Sequence, residues 1–217
     1  MGSVALVFAG GDPPPPSAIA DLPAADLVVA ADSGLHHAVA LGFRVDLVVG
    51  DLDSVDPAAL DAAAAAGTTV DAHPAAKDFT DLELALQAAR NRGCSRAVVI
   101  GGAGGRVDHF LANLLLLASP EFVGLDVEAR VGSADVFVVR AAREVRGQPG
   151  DFCSLLALGG PARGVHTAGL RFPLRGETLH PGSTRGLSNE LLEPVAQVSL
   201  DDGVLLVVLP DARKAYS

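Results

Sequence analysis

Short apolar runs alternate with glycine- and aspartate-rich segments through the first half of the chain. Runs at residues 4–9, 27–31 and 47–49 end in GGD, DSG and GDLDS, respectively. Two further strands are predicted, a short one near residues 68–71 and one at residues 97–100 that runs into GGAGG. Uninterrupted apolar runs of this length that open into loops are typical of strands buried in a parallel sheet.

Helix signals fall between these runs. An Asp-Pro pair at residues 56–57 opens an alanine-rich stretch that ends at Gly67, which is the order of an N-cap, a first-turn proline and a terminating glycine. The segment TDLE at residues 80–83 has the spacing of a capping box, and the helix it opens is expected to stop at Gly93. Strands that alternate with helices predict a doubly wound, mostly parallel α/β sheet.

The pattern changes beyond about residue 120. Short aliphatic and β-branched segments with no helical period then follow one another, separated by Gly, Pro and Asp. They lie at residues 127–131, 136–139, 152–158, 192–200 and 204–209. We therefore predict two domains, an α/β domain over residues 1–120 and an all-β domain over residues 121–217.

The composition indicates a globular protein with an acidic first half. Hydrophobic residues make up 49% and charged residues 19% of the chain, so apolar burial can offset the loss of chain entropy. The net charge is -10, and through residue 113 the acidic residues exceed the basic ones by 8. Because phosphate backbones are held by clustered Lys and Arg, this balance argues against a nucleic-acid partner and favours a cationic or metal-bound ligand.

Neither a membrane helix nor an oxidising compartment is expected. Apolar runs stay well below the ~20 residues that span a bilayer, and the run at residues 4–9 fits a first strand better than a signal peptide. Cys94 and Cys153 match no CxxC or zinc spacing, so we expect two reduced, packed thiols. A cytoplasmic protein is the corresponding prediction.

Aspartates are concentrated where the predicted strands end. Asp32, Asp51 and Asp53 follow two different strands, and Asp78 and Asp81 precede the capped helix. The carboxyl ends of parallel strands meet at one edge of a sheet, so these carboxylates would repel one another unless a divalent cation neutralised them. An oxygen-only set without HExxH or a Cys/His cluster favours Mg²⁺ bridging to phosphates. Each Asp taken alone is equally consistent with a turn or a helix cap.

A glycine-rich segment, GGAGGRVDH at residues 101–109, follows a strand and opens a helix. Its glycines would let the backbone approach a phosphate closely, and Arg106 supplies a bidentate cation. Because both GxxxxGK[ST] and GxGxxG are missing, the segment supports neither a Walker-type NTPase nor ordinary dinucleotide recognition. A connector without a ligand is the alternative, and His36, His37 and His109 are expected to be structural.

Six segments together resemble the thiamine pyrophosphokinase family. In chain order they are DSG (32–34), GDLDS (50–54), KDFTD (77–81), GGRVDH (104–109), TAGLRFPL (167–174) and SNE (188–190). The resemblance covers nearly the whole chain. It implies that the second domain is a β-sandwich and that the protein is a homodimer, with active sites between one subunit's first domain and its partner's second.

The resemblance also implies an activity and the residues that carry it. Members of this family transfer the pyrophosphoryl group of ATP, with Mg²⁺, to the hydroxyl of thiamine, giving thiamine pyrophosphate and AMP. The implied metal and catalytic acids are Asp51, Asp53, Asp78 and Asp81, with Asp32 nearby. The implied ATP contacts are Lys77, Thr80, Gly104, Gly105, Arg106 and Asp108. The implied thiamine contacts are Ser188 and Asn189.

The chain departs from the family pattern at two points. It has no Trp, so stacking on thiamine would come from a residue such as Phe172 or be absent. Ser33 stands where the family often has a glycine, which is tolerated if the backbone there avoids positive φ. Two other functions stay open on the sequence: a Mg²⁺-dependent nucleotide phosphohydrolase that uses water, and a non-catalytic sensor of nucleotides or thiamine phosphates.

Overall fold

The computed structural model describes residues 2–213 and divides into two compact units, Met1–Gly132 and Ser133–Ser217. None of the helices described has the length and apolar character that crossing a bilayer requires.

The first unit is built on a parallel sheet. Its strands are β1 (Val4–Phe8), β2 (Leu27–Ala31), β3 (Leu47–Gly50), β4 (Thr69–Ala72), β5 (Arg96–Ile100) and β6 (Asp126–Val131). They lie in the order β6-β5-β1-β2-β3-β4, and every neighbouring pair is parallel. The central strands are buried on both faces, which is why their sequences are continuous apolar runs without alternation.

Helices connect these strands and begin and end near the predicted signals. They are α1 (Gly34–Ala40), α2 (Pro57–Ala65), α3 (Asp81–Asn91) and α4 (Val107–Leu117), with short 3₁₀ turns at Pro16–Ile19 and Pro120–Phe122. The Asp56 side chain accepts a hydrogen bond from the N–H of Ala58 at the start of α2. The Thr80 side chain accepts one from the N–H of Glu83 at the start of α3. Both N-caps are therefore confirmed.

The order of the strands places a topological switch point beside β1. The chain runs outward from β1 through β2 and β3 to β4, then returns through α3 to β5 on the other side of β1. The connections that follow β1 and β5 consequently lead to strands on opposite sides of this point, β2 and β6. In open α/β sheets this is where ligands bind.

The second unit is a sandwich of two antiparallel sheets, as the family resemblance implied. Its strands are β7 (Ala134–Val139), β8 (Ala142–Arg146), β9 (Phe152–Ala157), β10 (Ala162–Ala168), β11 (Arg175–Leu179), β12 (Asn189–Glu190), β13 (Val195–Ser199) and β14 (Leu205–Leu209). The sheet orders are β12-β9-β14-β7 and β11-β10-β13-β8. Leu155 and Leu205 from the first sheet share a core with Val165 and Val198 from the second.

The boundary between the units lies between Gly132 and Ser133, later than the predicted division after residue 120. The segment at residues 127–131, expected to begin the all-β domain, is β6 and extends the parallel sheet beside β5. An ion pair explains how a charged strand is buried there: Arg96 on β5 lies 2.8 Å from Glu128 on β6, and Glu128 is only 4% exposed.

Candidate active site

A cavity of about 590 Å³ opens at the carboxyl ends of the parallel strands in the first unit. Its walls come from the loops after β1, β2, β3, β4 and β5 and from the first turns of α3 and α4. The volume lies within the range of small-molecule binding sites. The edge of the sheet at which the strand-end aspartates were expected to converge is therefore the edge that holds the cavity.

Three carboxylates from two loops meet in this cavity. Asp32, Asp51 and Asp53 each offer an oxygen, and these oxygens lie within 4.8 Å of one another. Asp32 is 8% exposed and adopts φ 47°, a left-handed conformation that Asp tolerates better than most residues. Between the other two acids, Leu52 has φ 62°, so the loop turns sharply at that residue.

Lys77 bridges two acids that belong to different elements. Its Nζ lies 2.9 Å from Asp81 Oδ1 and 3.3 Å from Asp51 Oδ2, and its side chain is 11% exposed. Asp81 is the first residue of α3, whereas Asp51 follows β3. The ammonium therefore partly neutralises the acidic wall.

Adjacent carboxylates have pKa values shifted in opposite directions. Burial raises the pKa of Asp32 above its ordinary value, and the charges of Asp81, Asp51 and Asp53 raise it further, against the effect of the Ser33 backbone. Burial also acts to raise the pKa of Asp51, but the N–H of Asp53 and the Lys77 ammonium together hold it below its ordinary value. Asp32 Oδ1 is a buried oxygen with no hydrogen-bond partner in residues 2–213. Asp32 is thus the carboxylate whose negative charge is least compensated by other groups of the described chain.

The glycines of the two loops at the switch point are required by loop packing. The N–H of Gly102 donates to the carbonyl of Gly10 at 2.9 Å, and the N–H of Asp12 donates to the carbonyl of Ala103 at 2.7 Å. A Cβ at Gly11 would overlap the Ala103 carbonyl, and a Cβ at Gly104 would overlap the Asp12 carboxylate. The loop after β1 therefore fixes the shape of the predicted phosphate loop.

Arg106 and Asp108 form an exposed ion pair at the start of α4. The two side chains approach to 2.5 Å and are 71% and 64% exposed, respectively. The guanidinium hydrogen-bonds the carboxylate and lowers the pKa of Asp108 to about 2. Arg106 borders the cavity and its head group is solvated, so it can exchange Asp108 for another anion at small cost.

The cavity wall gathers most of the residues predicted for metal and ATP, but not all of them. Asp78 is exposed and does not line the cavity, although Lys77 and Phe79 on either side of it do. Asp108 contacts Arg106 without lining the wall. The predicted residues that line it are Asp32, Asp51, Asp53, Lys77, Thr80, Asp81, Gly104, Gly105 and Arg106. The set of converging acids thus includes Asp32 and leaves out Asp78.

The predicted thiamine residues belong to the second unit. The Asn189 side chain is occupied there: its Oδ1 accepts from the N–H of Phe172 at 3.0 Å and its Nδ2 donates to the Phe172 carbonyl at 2.8 Å. Ser188 has φ 52° and its N–H donates to Ser154 Oγ at 3.1 Å. Asn189 therefore holds the loop that carries Phe172, whose ring side chain is 57% exposed.

The backbone at Ser33 avoids positive φ, which is the condition for tolerating a serine at this position. Ser33 has φ −60° and ψ −9°, an ordinary right-handed conformation, and the residue that turns into positive φ is Asp32. The next position needs a glycine, because a Cβ at Gly34 would overlap the Phe8 carbonyl. The condition for tolerating Ser33 is confirmed.

The expected structural roles of two histidines are confirmed as well. His36 Nε2 accepts from the N–H of Asp56 at 3.0 Å, and His37 Nδ1 lies 3.0 Å from the Ala9 carbonyl. His109, in contrast, borders the cavity.

Sequence reasoning missed several residues of the cavity wall. Gly10 and Gly11 follow β1 directly, so the strand-end argument that selected the aspartates would have found them too. Phe79 lies inside the KDFTD segment, yet it is an exposed phenyl ring at 46%. Phe110 and Asn113 reach the wall from the first turns of α4 and carry no local signal.

This arrangement defines a class of protein. An acidic cluster, two cationic side chains and tightly fixed glycine loops at the switch point of a parallel sheet suit a divalent cation with a polyphosphate. A set of groups of this kind is typical of enzymes that act on phosphoryl groups.

Comparison with known proteins identifies the family within that class. The sequence profile of the thiamin pyrophosphokinase catalytic domain matches residues 21–129, and that of the thiamin pyrophosphokinase vitamin B1 binding domain matches residues 140–205. The chain belongs to the thiamine pyrophosphokinase family.

Relatives and solved structures agree with this assignment. Thiamine pyrophosphokinase of Bacillus subtilis (strain 168) is 26% identical over 165 residues, which are 73% of this chain and 75% of that protein. Thiamine pyrophosphokinase 1 of Oryza sativa subsp. japonica is 24% identical over 181 residues, covering 78% and 68% of the two chains. The crystal structure of the Bacillus subtilis enzyme superimposes with a TM-score of 0.82 at 24% identity, over 95% of this chain and 98% of that one. The crystal structure of a thiamin pyrophosphokinase family protein from Enterococcus faecalis superimposes with a TM-score of 0.77 at 29% identity, over 95% of this chain and 97% of that one.

Replacing Asp32 tests the electrostatics of the site. We expect Asp32→Asn, measured by urea unfolding at neutral pH with EDTA, to raise the free energy of unfolding by roughly 1 kcal/mol, because it removes a buried charge that faces other carboxylates. Asp61→Asn, an exposed position on α2, is the matched control and should change little. A folded Asp32→Asn protein that is less stable than the wild type would contradict this description of the site.

Proposed function

We propose that this protein transfers the pyrophosphoryl group of Mg²⁺-bound ATP to the hydroxyl of thiamine, producing thiamine pyrophosphate and AMP. The observation that carries the proposal is the convergence of Asp32, Asp51 and Asp53 beside the glycine loops of the switch point. Membership of the thiamine pyrophosphokinase family supports the choice of substrates.

The acids of the cavity fit a magnesium ion. The donors are carboxylate oxygens without nitrogen or sulfur, which is the set that hard divalent cations prefer. One of them, Asp32 Oδ1, is buried without a hydrogen-bond partner among the described residues. We propose Asp32, Asp51 and Asp53 as the residues that hold Mg²⁺, with Asp81 beside them and Asp78 farther out. Mg²⁺ would supply charge neutralisation and polarisation of the polyphosphate.

The rest of the wall would position the nucleotide and the attacking hydroxyl. Lys77 and Arg106 offer cationic groups to the polyphosphate, and Gly105 has open space around its Cα, so a phosphate can approach its backbone. The thiamine oxygen attacks the β-phosphorus, and its proton passes to a carboxylate. The bond between the β-phosphorus and the oxygen that bridges it to the α-phosphorus breaks, so that AMP leaves with that oxygen. The acceptor would be a carboxylate oxygen of the cavity wall that does not ligate the metal.

The second unit offers an exposed aromatic surface for thiamine. Phe152 and Phe172 are 50% and 57% exposed, and Leu192 is 54% exposed. Thiamine is cationic, and a cation gains stability over the face of an aromatic ring. We propose that Phe172 stacks on thiamine, while Asn189 holds the Phe172 loop and Ser188 lies next to it in the same segment.

A second copy of the chain is proposed to cover α4. Val107, Leu111 and Leu115 recur every four residues on this helix and are 71%, 53% and 58% exposed, and of its residues only Leu117 is buried. An apolar stripe of this kind marks a surface for association. Because α4 begins with residues that border the cavity, the homodimer would bring the partner subunit to the mouth of the active site.

The cytoplasmic location stays a prediction. It is supported by Cys94 and Cys153, both of which are free and buried.

One assay separates the proposal from its two rivals. Purified protein is incubated with Mg²⁺ and ATP, with and without thiamine, and AMP is followed together with thiamine pyrophosphate. The proposal predicts that both products form at equal rates and only when thiamine is present. AMP release without thiamine would favour a nucleotide phosphohydrolase, and ligand binding without turnover would favour a sensor.

Arg106 tests the ATP side of the cavity. We expect Arg106→Ala to raise KM for ATP at least about tenfold through loss of a charge-assisted phosphate contact, with little effect on folding because the side chain is 71% exposed. Arg92→Ala, an exposed position at the end of α3, is the matched control. An unchanged KM for ATP would remove Arg106 from the site.

Phe172 tests the thiamine side. We expect Phe172→Ala to raise KM for thiamine about tenfold while KM for ATP stays the same, because the lost ring contributes stacking to thiamine alone. Phe172→Tyr keeps the aromatic face and serves as the control. Asn189 bonds the Phe172 backbone, so neither change removes that contact. Equal thiamine KM values for all three proteins would argue against stacking at this residue.

Leu111 tests the association surface. Light scattering after size exclusion should give the wild type twice the 22.0 kDa mass of one chain. We expect Leu111→Asp to shift the protein to monomer at micromolar concentration, because it places a charge in the middle of the apolar stripe. Val123→Asp changes another exposed apolar residue of the first unit, 63% exposed, and should leave the dimer intact. A monomeric wild type, or a dimeric Leu111→Asp, would contradict association through α4.

A further inference from the structure

The ammonium of Lys77 contacts an acid that a metal ion bound in the cavity would also contact. Its ammonium lies 3.3 Å from Asp51 Oδ2 and 2.9 Å from Asp81 Oδ1. Asp51 is also one of the three acids whose oxygens converge within 4.8 Å. One carboxylate is therefore shared between the internal ammonium and the proposed metal site.

We propose that Lys77 is an internal counter-ion that competes with Mg²⁺ for the cavity acids and exchanges them for the polyphosphate when metal and nucleotide bind together. The proposal rests on the function proposed above, since it takes Mg²⁺ and ATP as the ligands. In this proposal Lys77 has two positions, one on the cavity acids and one on the polyphosphate. It therefore affects the binding of the metal as well as contacting ATP.

The charges of the described cavity require such a counter-ion while the site is empty of ligand. Asp32, Asp51, Asp53 and Asp81 all border the same cavity, and Lys77 is the cation that directly contacts two of them. Arg106, which also borders it, is paired with Asp108 outside the wall. Removing the ammonium would leave like charges facing one another in a partly buried space, where repulsion is screened less than at the surface.

The local structure allows the ammonium to move. Lys77 lies between β4 and α3, in a stretch that forms neither helix nor strand. Lysine has a flexible four-carbon stem, and its ammonium donates to carboxylate or phosphate oxygens in many geometries. A polyphosphate in the same cavity therefore lies within reach of the side chain that leaves Asp51.

This exchange couples the binding of metal to the binding of nucleotide. Metal alone must displace the ammonium from Asp51 and leave it with Asp81 as its acid partner, so the affinity for the metal is reduced. Metal together with a polyphosphate gives the ammonium a new partner, so the affinity is restored. Because coupling is reciprocal, the nucleotide likewise binds more tightly when metal is present. Lys77 accounts for part of the factor by which each ligand increases the affinity for the other.

The direct test is calorimetric titration of the intact protein with Mn²⁺, without nucleotide or thiamine. We compare wild type, Lys77→Gln and Lys77→Arg, and repeat each titration with saturating α,β-methylene-ATP. Without nucleotide, Lys77→Gln should bind Mn²⁺ at least about tenfold more tightly than wild type, and Lys77→Arg should stay close to wild type. With the analogue, the advantage of Lys77→Gln should disappear.

Thermal unfolding gives a second readout that a purely structural lysine would not reproduce. Lys77→Gln should unfold at a lower temperature than wild type in EDTA, and saturating Mn²⁺ should raise its Tm by more than it raises that of wild type. Equal or weaker Mn²⁺ binding by a folded Lys77→Gln would overturn the proposal, as would a tenfold gain that persists with the analogue.

Failure of this proposal is distinguishable from failure of the proposed function. The Mn²⁺ titrations need neither thiamine nor turnover, whereas the function is tested by thiamine-dependent AMP formation in the wild type. A wild-type enzyme that forms thiamine pyrophosphate while Lys77→Gln shows no gain in metal affinity would retain the function and reject the counter-ion role.

Discussion

Repulsion between carboxylates at one edge of the parallel sheet is the constraint on which the site depends. The fold brings Asp32, Asp51 and Asp53 within 4.8 Å because their loops leave neighbouring strand ends. Burial and the neighbouring charges raise the pKa of Asp32, so the folded state holds its ionised form at a cost. A site that gathers like charges in this way is stabilised by whatever cation it binds, which is the basis of the metal-dependent reaction proposed above.

Backbone geometry around those acids is set by the protein's own packing. The loops after β1 and β5 touch through hydrogen bonds at 2.7 and 2.9 Å, and the glycines at 11 and 104 are needed for that contact. The loop that is proposed to bind phosphate is therefore shaped by the loop beside it. Pre-shaping of this kind means that little backbone ordering is needed when a ligand binds.

Local signals in the sequence were sufficient for the parts of the fold that depend on local chemistry. The caps at Asp56 and Thr80 and the buried central strands follow from turn chemistry and from uninterrupted apolar runs. The convergence of Asp32 with Asp51 follows from the strand-end rule alone.

Contacts between distant residues explain what the sequence left open. β6 joins the first sheet by parallel pairing with β5, where Arg96 pairs with Glu128 across the two strands. Strands β8, β10 and β11 each have only one or two buried apolar residues among exposed or half-buried positions, so no apolar run marks them. The exposure of Asp78, beside the inward-facing Lys77, depends on the path of a loop without regular structure. The bond from Asn189 to the Phe172 backbone likewise joins residues 17 apart in the chain.

The central claim is that the strand-end acids hold a divalent cation against a polyphosphate. Its most direct test is the anomalous difference map of crystals grown with Mn²⁺ and α,β-methylene-ATP, recorded near the manganese absorption edge. The account predicts a peak bonded to oxygens of Asp32, Asp51 and Asp53, with analogue phosphate oxygens completing the coordination. A manganese peak bound elsewhere, with these carboxylates free of metal in crystals that contain the analogue, would contradict it.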